Sequence, residues 1–420
     1  MKVSLFQQAP YRFMPAGFED RGEPSVVSTP YEELVDRALV FDSYRWFMDE
    51  LLAGLRAGFD GVAVTEHGQT SYDMTPNPNL PAAVLANAIR EESPETALIV
   101  LGRSLGKTRE PLRIAEEYAM LDCLSGGRLV AGLPVGLSYD ANLNNGIPPI
   151  ETRDRYREAH DLLIRSWTSR EPFAWNGRYS QYSLVNSWPR PLQQPHPPIW
   201  VPGAGTPGTM AWTLDNSYAF VYLSWFGPTL TAHRIFDRFW DLADQHEKPR
   251  NPYRVGFVQS VVVSETDERA EQEYGRYVEN AFRQGPGSVP LHYMGLPGYI
   301  DIRGVEALIR DPGDFGIAAT MRQVTFRELA ETRSVIAGSP ATVRDQITAF
   351  VEEFRIGNLL VMLQMGGMPH ELTLKNIDLF SREVLPHVRD IWDDQWENHW
   401  WPERLKGKRD LRQLVGAAAG

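Results

Sequence analysis

The segment Phe59-Asp60-Gly61-Val62-Ala63-Val64-Thr65-Glu66-His67 is a short apolar run that ends in a carboxylate and an imidazole. An apolar run of this length, preceded by a helical pattern and Gly58, predicts a buried strand that follows a helix. The strand would carry Glu66 and His67 at its carboxyl end. Enzymes built on parallel α/β barrels keep their catalytic groups at that end. The segment therefore indicates a fold class and a candidate catalytic residue, His67, with a structural core histidine as the alternative.

The same unit recurs along the chain. Apolar runs that alternate with amphipathic helical stretches predict seven further strands, at residues 3–6, 97–102, 127–133, 199–201, 219–223, 255–263 and 358–363. Helices are predicted at residues 43–57, 111–124, 152–167, 229–246, 266–283, 339–354 and 372–385. Alternating strands and helices are typical of a parallel sheet, and eight units favour a (β/α)8 barrel over an open sheet.

Two segments interrupt the alternation. Residues 171–198 are rich in proline and aromatic residues and predict an extended excursion over the surface. Residues 285–335 lack regular periodicity, and loops of this length in a compact domain are usually lids or binding insertions. We therefore expect one barrel domain over residues 1–390, with a lid-like insertion at 285–335 before the last βα unit.

Residues 391–420 form a C-terminal tail with an unusual tryptophan pattern. Trp392, Trp396 and Trp400 recur at every fourth position, which predicts one face of a helix. We expect that face to pack against the barrel or against a second subunit.

Composition excludes several classes of function. Lys and Arg number 42 against 54 Asp and Glu, so the formal net charge is −12, which disfavours nucleic-acid and anionic-membrane partners. Cys123 is the only cysteine, so the chain forms no internal disulfide or thiolate metal cluster. The histidines lack metal-site spacing, and G-x-S-x-G is absent. With no signal-peptide or membrane-spanning apolar run, we expect a cytoplasmic, metal-free protein.

Residues 203–208 spell G-x-G-x-x-G directly after a predicted strand. A dinucleotide site would need an acidic residue at the end of the next strand to bind the ribose, and that strand ends at Leu223 without one. Pro207 also removes one amide donor. The loop is better suited to a monophosphate, because its glycines permit close approach and Thr206 and Thr209 add hydroxyls at a helix N-terminus. A plain tight turn is the alternative.

In their order and spacing, several segments resemble the bacterial luciferase-like flavin-dependent monooxygenases. The resemblance spans residues 1–390 and is carried by residues 57–62, 65–67, 76–78, 111–116, 121–122, 125–128, 189–191, 197–201, 338–340 and 383–386.

This resemblance implies a barrel that binds FMN as FMNH₂, receives it from a separate NAD(P)H:flavin reductase, and uses O₂ to oxygenate an organic substrate. The abundant aromatic residues suggest a small apolar or aromatic substrate, and a homo-oligomer is expected. His67 falls on the family's active-site histidine. The implied cofactor-binding residues are Gly102, Arg103, Gly203, Gly205, Thr206, Gly208 and Thr209. A dehydrogenase of the same superfamily that uses the deazaflavin F420 is the alternative, and a non-catalytic flavin-binding barrel is the second alternative.

The sequence departs from the family pattern at two positions. Gly68 stands where members often have a second histidine, so a paired-imidazole role is excluded. Val135 stands where certain relatives have a phosphate-binding arginine, which leaves Arg103 or another cation to meet the phosphate charge. The resemblance also implies a non-prolyl cis peptide near Gly102 and Arg103.

Overall fold

The computed structural model describes residues 1–18, 20–21, 25–223, 232–285, 288–299, 323–393 and 395–406. Its strands are β1 (Lys2–Phe6), β2 (Gly61–Val64), β3 (Ala97–Val100), β4 (Leu129–Gly132), β5 (Phe173–Asn176), β6 (Gln181–Val185), β7 (Ile199–Gly203), β8 (Ala219–Tyr222), β9 (Val255–Val263), β10 (Val335–Gly338) and β11 (Asn358–Met362).

Eight parallel strands close into a barrel in the order β1-β2-β3-β4-β7-β8-β9-β11. Closure is visible at Leu5, which is paired in parallel register with Val62 on one side and with Val361 on the other. The long strand β9 pairs with β8 through its first half and with the additional strand β10 through its second half. The predicted (β/α)8 barrel is confirmed, and each of the eight predicted barrel strands is present.

The helices that surround the barrel are α1 (Tyr31–Leu34), α2 (Arg37–Arg56), α3 (Asn79–Glu92), α4 (Pro111–Leu124), α5 (Thr152–Thr168), α6 (Pro207–Asp215), α7 (His233–Gln245), α8 (Asp267–Gln284), α9 (Leu291–Met294), α10 (Phe326–Glu331), α11 (Pro340–Phe354), α12 (His370–Glu383) and α13 (Leu385–Val388). None of the helices in the described part of the chain is long and apolar enough to cross a lipid bilayer.

Strand side chains alternate between two apolar layers. Val62 and Val64 of β2 pack outward against the helices, whereas Ala63 between them joins the cluster inside the barrel. This period of two is the reason that continuous apolar runs identify strands buried on both faces. Because the eight barrel strands are parallel, their carboxyl ends lie around one rim.

Most element boundaries agree with the sequence pattern. Helix α4 has the predicted bounds, whereas α2 begins at Arg37 because the Asp36 carboxylate accepts a hydrogen bond from the Ala38 amide and so caps the helix. The excursion at 171–198 contains a two-stranded antiparallel hairpin, β5 with β6. Residues 229–231, at the start of the predicted helix 229–246, and residues 286–287 and 300–322 of the predicted lid at 285–335 lie outside the described residues.

The prediction of a helix in the C-terminal tail is wrong. The chain around Trp392, Trp396 and Trp400 forms turns, and Trp392 has a positive φ of 80°. The Trp400 ring is buried, its indole N–H donates to Ser217 O, and its carbonyl accepts from the Trp200 indole. The regular spacing therefore reflects separate rings that pack under the barrel, not a helical stripe.

Candidate active site

His67 lies directly beyond β2 and is buried. Its Nδ1 is 3.0 Å from Asp140 Oδ2, and the second carboxylate oxygen of Asp140 accepts the Gly68 amide at 3.0 Å. The histidine and the aspartate are therefore fixed against each other by two contacts. With Nδ1–H donated to Asp140, neutral His67 carries its lone pair on Nε2, which makes no hydrogen bond within the described residues.

Two tyrosines complete the environment of the His67 ring. The Tyr72 hydroxyl lies 3.1 Å from Nδ1 and the Tyr139 hydroxyl 3.4 Å from the same atom. The two hydroxyls also hydrogen-bond to each other. Burial raises the pKa of both phenols well above the usual value, so both remain neutral hydroxyls. A ring of neutral and ionised oxygens thus surrounds one imidazole nitrogen.

The electrostatics of this cluster favour a charged imidazole. Burial by itself lowers the pKa of His67, but the hydrogen bond and the charge of Asp140 outweigh it, so the net His67 pKa is raised. Burial likewise raises the pKa of Asp140, and its hydrogen bond and attraction to His67 bring the net pKa below the ordinary carboxyl value. The two groups stabilise each other's ionised forms as a coupled pair.

A second buried carboxyl, Asp73, lies close enough to influence both members of the pair. Its Oδ1 accepts the Ala9 amide at 3.1 Å, while Oδ2 is buried with no hydrogen-bond partner in the described structure. Burial raises the pKa of Asp73 to about 6. This carboxyl can therefore change its charge near neutral pH, next to His67.

Glu66 organises the loop after β3. Its carboxylate accepts the backbone amides of Arg103 at 3.0 Å and Ser104 at 2.8 Å, and pairs with the Arg103 guanidinium and with Lys107. Arg103 pairs with Glu117 as well. Arg103 therefore already pairs with two carboxylates, one of them shared with Lys107, and its binding of a phosphate stays a prediction.

The prediction of a non-prolyl cis peptide near Gly102 and Arg103 is wrong. Within the described residues the cis bonds precede Pro189 and Pro195, and the bond between Gly102 and Arg103 is trans. Arg103 instead has a φ of 84°, a conformation that the two amide bonds to Glu66 maintain. A Cβ on Gly102 would lie 2.3 Å from the Glu66 amide nitrogen, so this glycine is required by packing against Glu66.

The loop after β7 has the geometry of an anion cradle. Gly205 has a φ of 89°, and α6 begins at Pro207 with Thr206 in the N-cap position. The Thr206 hydroxyl bonds to the Thr209 hydroxyl at 2.9 Å and leaves the helix amides uncapped by any side chain. No atom of the described residues lies within 4 Å of the position that a Cβ on Gly208 would occupy, so within that part of the chain the first turn faces open space.

Arg153, at the second position of α5, reaches this loop from the side. Its Nη1 lies 3.4 Å from Thr209 Oγ1, and no carboxylate in the described structure pairs with it. A half-buried guanidinium without a counter-ion can bind a phosphate when it lies next to a helix N-terminus and two hydroxyl groups. Sequence reasoning missed Arg153, because α5 and α6 are brought together only by the closure of the barrel.

A small pocket, a cleft with a cavity volume of about 30 Å³, opens on the same rim. Its walls include Gln8 and Tyr11 after β1, Gln364 and Met365 after β11, and the ring of Tyr72. Tyr72 thus connects the pocket to His67 through its hydroxyl. Apolar side chains and a few amide groups therefore line the rim beside Tyr72.

The described start of the predicted lid, residues 288–299, covers part of this rim. The Tyr299 hydroxyl donates to Gly136 O, and the Leu296 amide bonds to Ser138 Oγ at 3.4 Å. The Arg153 guanidinium lies 5.8 Å from the centroid of the Tyr299 ring. This part of the insertion therefore contacts the loop after β4 and the cation of the cradle.

Comparison with known proteins assigns the family. The profile of the luciferase-like monooxygenases matches residues 42–355. The oxygenase component of the flavin-dependent trigonelline monooxygenase of Acinetobacter baylyi is 30% identical over 164 residues, which is 38% of this chain and 43% of that protein. The chain belongs to the luciferase-like monooxygenase family and is an oxygenase of that family.

Solved structures agree on the fold. The oxygenating constituent of 3,6-diketocamphane monooxygenase from Pseudomonas putida, solved with FMN, superposes with a TM-score of 0.62 at 18% identity, covering 92% of this chain and 98% of that one. An F420-dependent secondary alcohol dehydrogenase superposes with the same TM-score of 0.62 at 15% identity, covering 93% and 99%. At these identities the similarity establishes the barrel and leaves the cofactor open.

Proposed function

We propose that this chain is the oxygenase of a two-component system that binds FMNH₂ and uses O₂ to oxygenate a small apolar or aromatic substrate. The observation that carries the proposal is the cradle formed by Thr206, Gly208, Thr209 and Arg153. The cradle lies on the rim that also holds His67 and the pocket, so one bound molecule can have its phosphate there and its reactive part at the barrel mouth.

The residues present fit the phosphate of FMN. Gly208 offers open space and its own backbone amide, whereas Pro207 has no N–H and the Thr209 amide donates to Thr206 O. Arg153 offers a positive charge that no side chain neutralises within the described structure. Gly203 and Gly205 shape the turn that leads into the helix. When bound, reduced FMN supplies the electrons that activate O₂, a chemistry that no side chain of this chain provides.

His67 is the group that handles protons in this proposal. In the neutral state, Nδ1–H is held by Asp140 and Nε2 can accept a proton; in the charged state, Nε2 can donate one. The raised pKa keeps a substantial part of the imidazole protonated near neutral pH. Tyr72 orients the ring and forms a wall of the pocket.

A separate NAD(P)H:flavin reductase is the proposed source of FMNH₂. The glycine loop at 203–208 is followed by β8, which ends at Tyr222 with no acidic residue to hold a nicotinamide ribose. The described lid segment 288–299 is proposed to shield the rim, since an oxygenase must exclude bulk water from its reacting centre.

The cradle is tested by anaerobic binding of FMNH₂. Arg153→Gln removes the charge and should weaken binding about 10- to 100-fold, as expected for a hydrogen bond to a charged group worth about 1.5–3 kcal/mol. Arg155→Gln is the matched control, because Arg155 lies two positions away and pairs with Glu151. Equal affinities in the two variants would refute the cradle.

The reaction is tested with isotopically labelled O₂, NADH, FMN and a purified flavin reductase, against a panel of small apolar and aromatic compounds. The proposal expects one labelled oxygen atom in a product, and expects no product without the reductase. Turnover that the reductase does not influence, or a product without label, would contradict it.

A further inference from the structure

A buried and unpaired cation lies at the opposite end of the barrel from the candidate active site. Arg254 directly precedes β9 and is only 5% exposed. Its Nε and Nη1 are buried without a hydrogen-bond partner, and no carboxylate of the described structure pairs with it. Burial lowers the pKa of Arg254 to about 10, and no acidic group offsets this effect. A guanidinium in this position is still charged at neutral pH.

A second buried donor without a partner in the described residues, Asn398 Nδ2, lies two residues before the tryptophan that Arg254 contacts. The Arg254 guanidinium lies 4.5 Å from the centroid of the Trp400 ring. The Trp400 amide bonds to Asn398 Oδ1 at 3.0 Å, while Asn398 Nδ2 is buried without a partner. The segment is held close by the bond from Asn251 Nδ2 to Glu397 O at 2.9 Å, and Asn251 O accepts the Arg254 amide.

The Trp400 ring itself is fixed. Its indole N–H bonds to Ser217 O at 2.7 Å, and its carbonyl accepts the Trp200 indole at 3.0 Å. The Arg254 guanidinium therefore packs on a fixed aromatic ring, while its Nε and Nη1 lack hydrogen-bond partners in the described structure. Stacking satisfies the face of an arginine but none of its donors.

We propose that Arg254 and Asn398 form a binding site for a small oxyanion, a carboxylate or a phosphate, at the amino-terminal end of the barrel. Both unpaired groups are donors, so the complementary ligand is an acceptor. A buried charge normally requires a partner, because its removal from water is strongly unfavourable. The planar fork of a guanidinium matches two oxygens of one oxyanion. A bound oxyanion would link the C-terminal tail to β9.

The test uses thermal unfolding of the full chain at constant ionic strength, with sodium phosphate or sodium acetate compared with sodium chloride. At saturation the oxyanion should raise Tm by about 2–4 °C. The proposed flavin cradle is itself expected to bind inorganic phosphate, so every comparison is made in the Arg153→Gln background, which lacks the cation of the cradle and should still show this rise. Arg254→Gln should lose it, whereas Arg250→Gln, at an exposed arginine paired with Asp244, should retain it.

Asn398→Asp is the second variant, and it keeps the buried guanidinium in case Arg254→Gln does not fold. The new carboxylate would serve as an internal partner for Arg254. We expect a higher Tm in chloride alone and no further rise with phosphate or acetate. A response to phosphate alone identifies a phosphate site, and a response to both identifies a general oxyanion site. The absence of any rise above chloride, or a rise that Arg254→Gln keeps, would overturn the proposal. No flavin is used, so the result is independent of the proposed function.

Discussion

Replacing Asp140 by asparagine tests the role of the His67–Asp140 pair. The two side chains have the same shape, and the carboxamide oxygen of the variant can still accept the Gly68 amide. The carboxamide nitrogen would then face His67 Nδ1 as a donor. His67 would have to accept there and carry its proton on Nε2, so the neutral imidazole could no longer accept a proton at that atom.

The expected magnitude follows from the contact that is lost. A buried hydrogen bond of 3.0 Å between an imidazole and a carboxylate is replaced by a neutral one, and hydrogen bonds to charged groups contribute about 1.5–3 kcal/mol. That free energy corresponds to a loss of about 10- to 100-fold in kcat. His67→Ala removes the imidazole altogether and should lower kcat by about 10²–10⁴-fold, the range of general acid–base assistance, which is the largest loss expected from this pair.

The assay is the pH dependence of kcat at saturating FMNH₂, together with an NMR titration of His67. Asp140→Asn should lower the pKa of His67 from its raised value, because Asp140 is the main group that raises it. Asp161→Asn is the matched control, since Asp161 also lies 3.0 Å from a histidine Nδ1, that of His160, but is largely exposed. It should leave both readouts unchanged.

The stability of Asp140→Asn has a pH dependence of defined sign. The raised His67 pKa stabilises the fold below the ordinary imidazole value of about 6.5 and loses this effect as pH rises through the folded pKa. The lowered Asp140 pKa stabilises the fold above about 3.9 and loses this effect as pH falls. The variant should therefore lose more Tm at pH 5.5 than at pH 9. Wild-type kcat, an unchanged His67 titration and a uniform Tm loss would refute the pairing.

Three further outcomes are expected. Tyr72→Phe removes a neutral hydroxyl from His67 and should lower kcat about 2- to 10-fold without a change in FMNH₂ affinity, measured by steady-state kinetics and anaerobic titration; an unchanged kcat would exclude a role for the hydroxyl. Asp73→Asn removes a buried carboxyl with a pKa of about 6. The wild type bears the cost of burying the ionised carboxylate mainly above that pH, so the variant should gain more Tm over wild type at pH 8 than at pH 5. A larger gain at pH 5 would contradict the raised pKa of Asp73. Gly208→Val should weaken FMNH₂ binding at least about tenfold, about 1.4 kcal/mol, in a folded protein. Gly205→Val is a poorer test, because Gly205 has a φ of 89° and a Cβ there would lie 2.8 Å from Ile235 Cγ2, which predicts strain without any ligand.

The barrel could be predicted from the sequence because its strands are buried on both faces. Such strands appear as continuous apolar runs, and each lies between helices with their own periodicity. The prediction of a helix in the C-terminal tail was wrong because the tryptophan spacing there does not come from one regular element. Trp392, Trp396 and Trp400 are placed by separate contacts beneath the barrel, and a repeat of four residues in a segment of turns carries no helical information.

The candidate site was predicted only in its local part. His67 and the loop at 203–209 follow strands directly, so their position at the rim could be inferred from the strand order. Asp140 lies 73 residues after His67, and Arg153 lies 56 residues before Thr209. Neither pairing has a sequence signature, because each depends on how neighbouring βα units meet in the closed barrel. The ion pairs of Arg103 with Glu66 and Glu117 could not be predicted either, since they join separate units.

We propose above all that the cradle, on the rim that also holds His67, binds the phosphate of reduced FMN. The most direct measurement is the anaerobic dissociation constant of the full chain for FMNH₂ and for the reduced deazaflavin F420, determined side by side for wild type and Arg153→Gln. The account predicts that FMNH₂ binds at least about tenfold more tightly than the deazaflavin, a difference of about 1.4 kcal/mol, and that Arg153→Gln removes most of this preference. Tighter binding of the deazaflavin, or an FMNH₂ affinity that Arg153→Gln leaves unchanged, would contradict it.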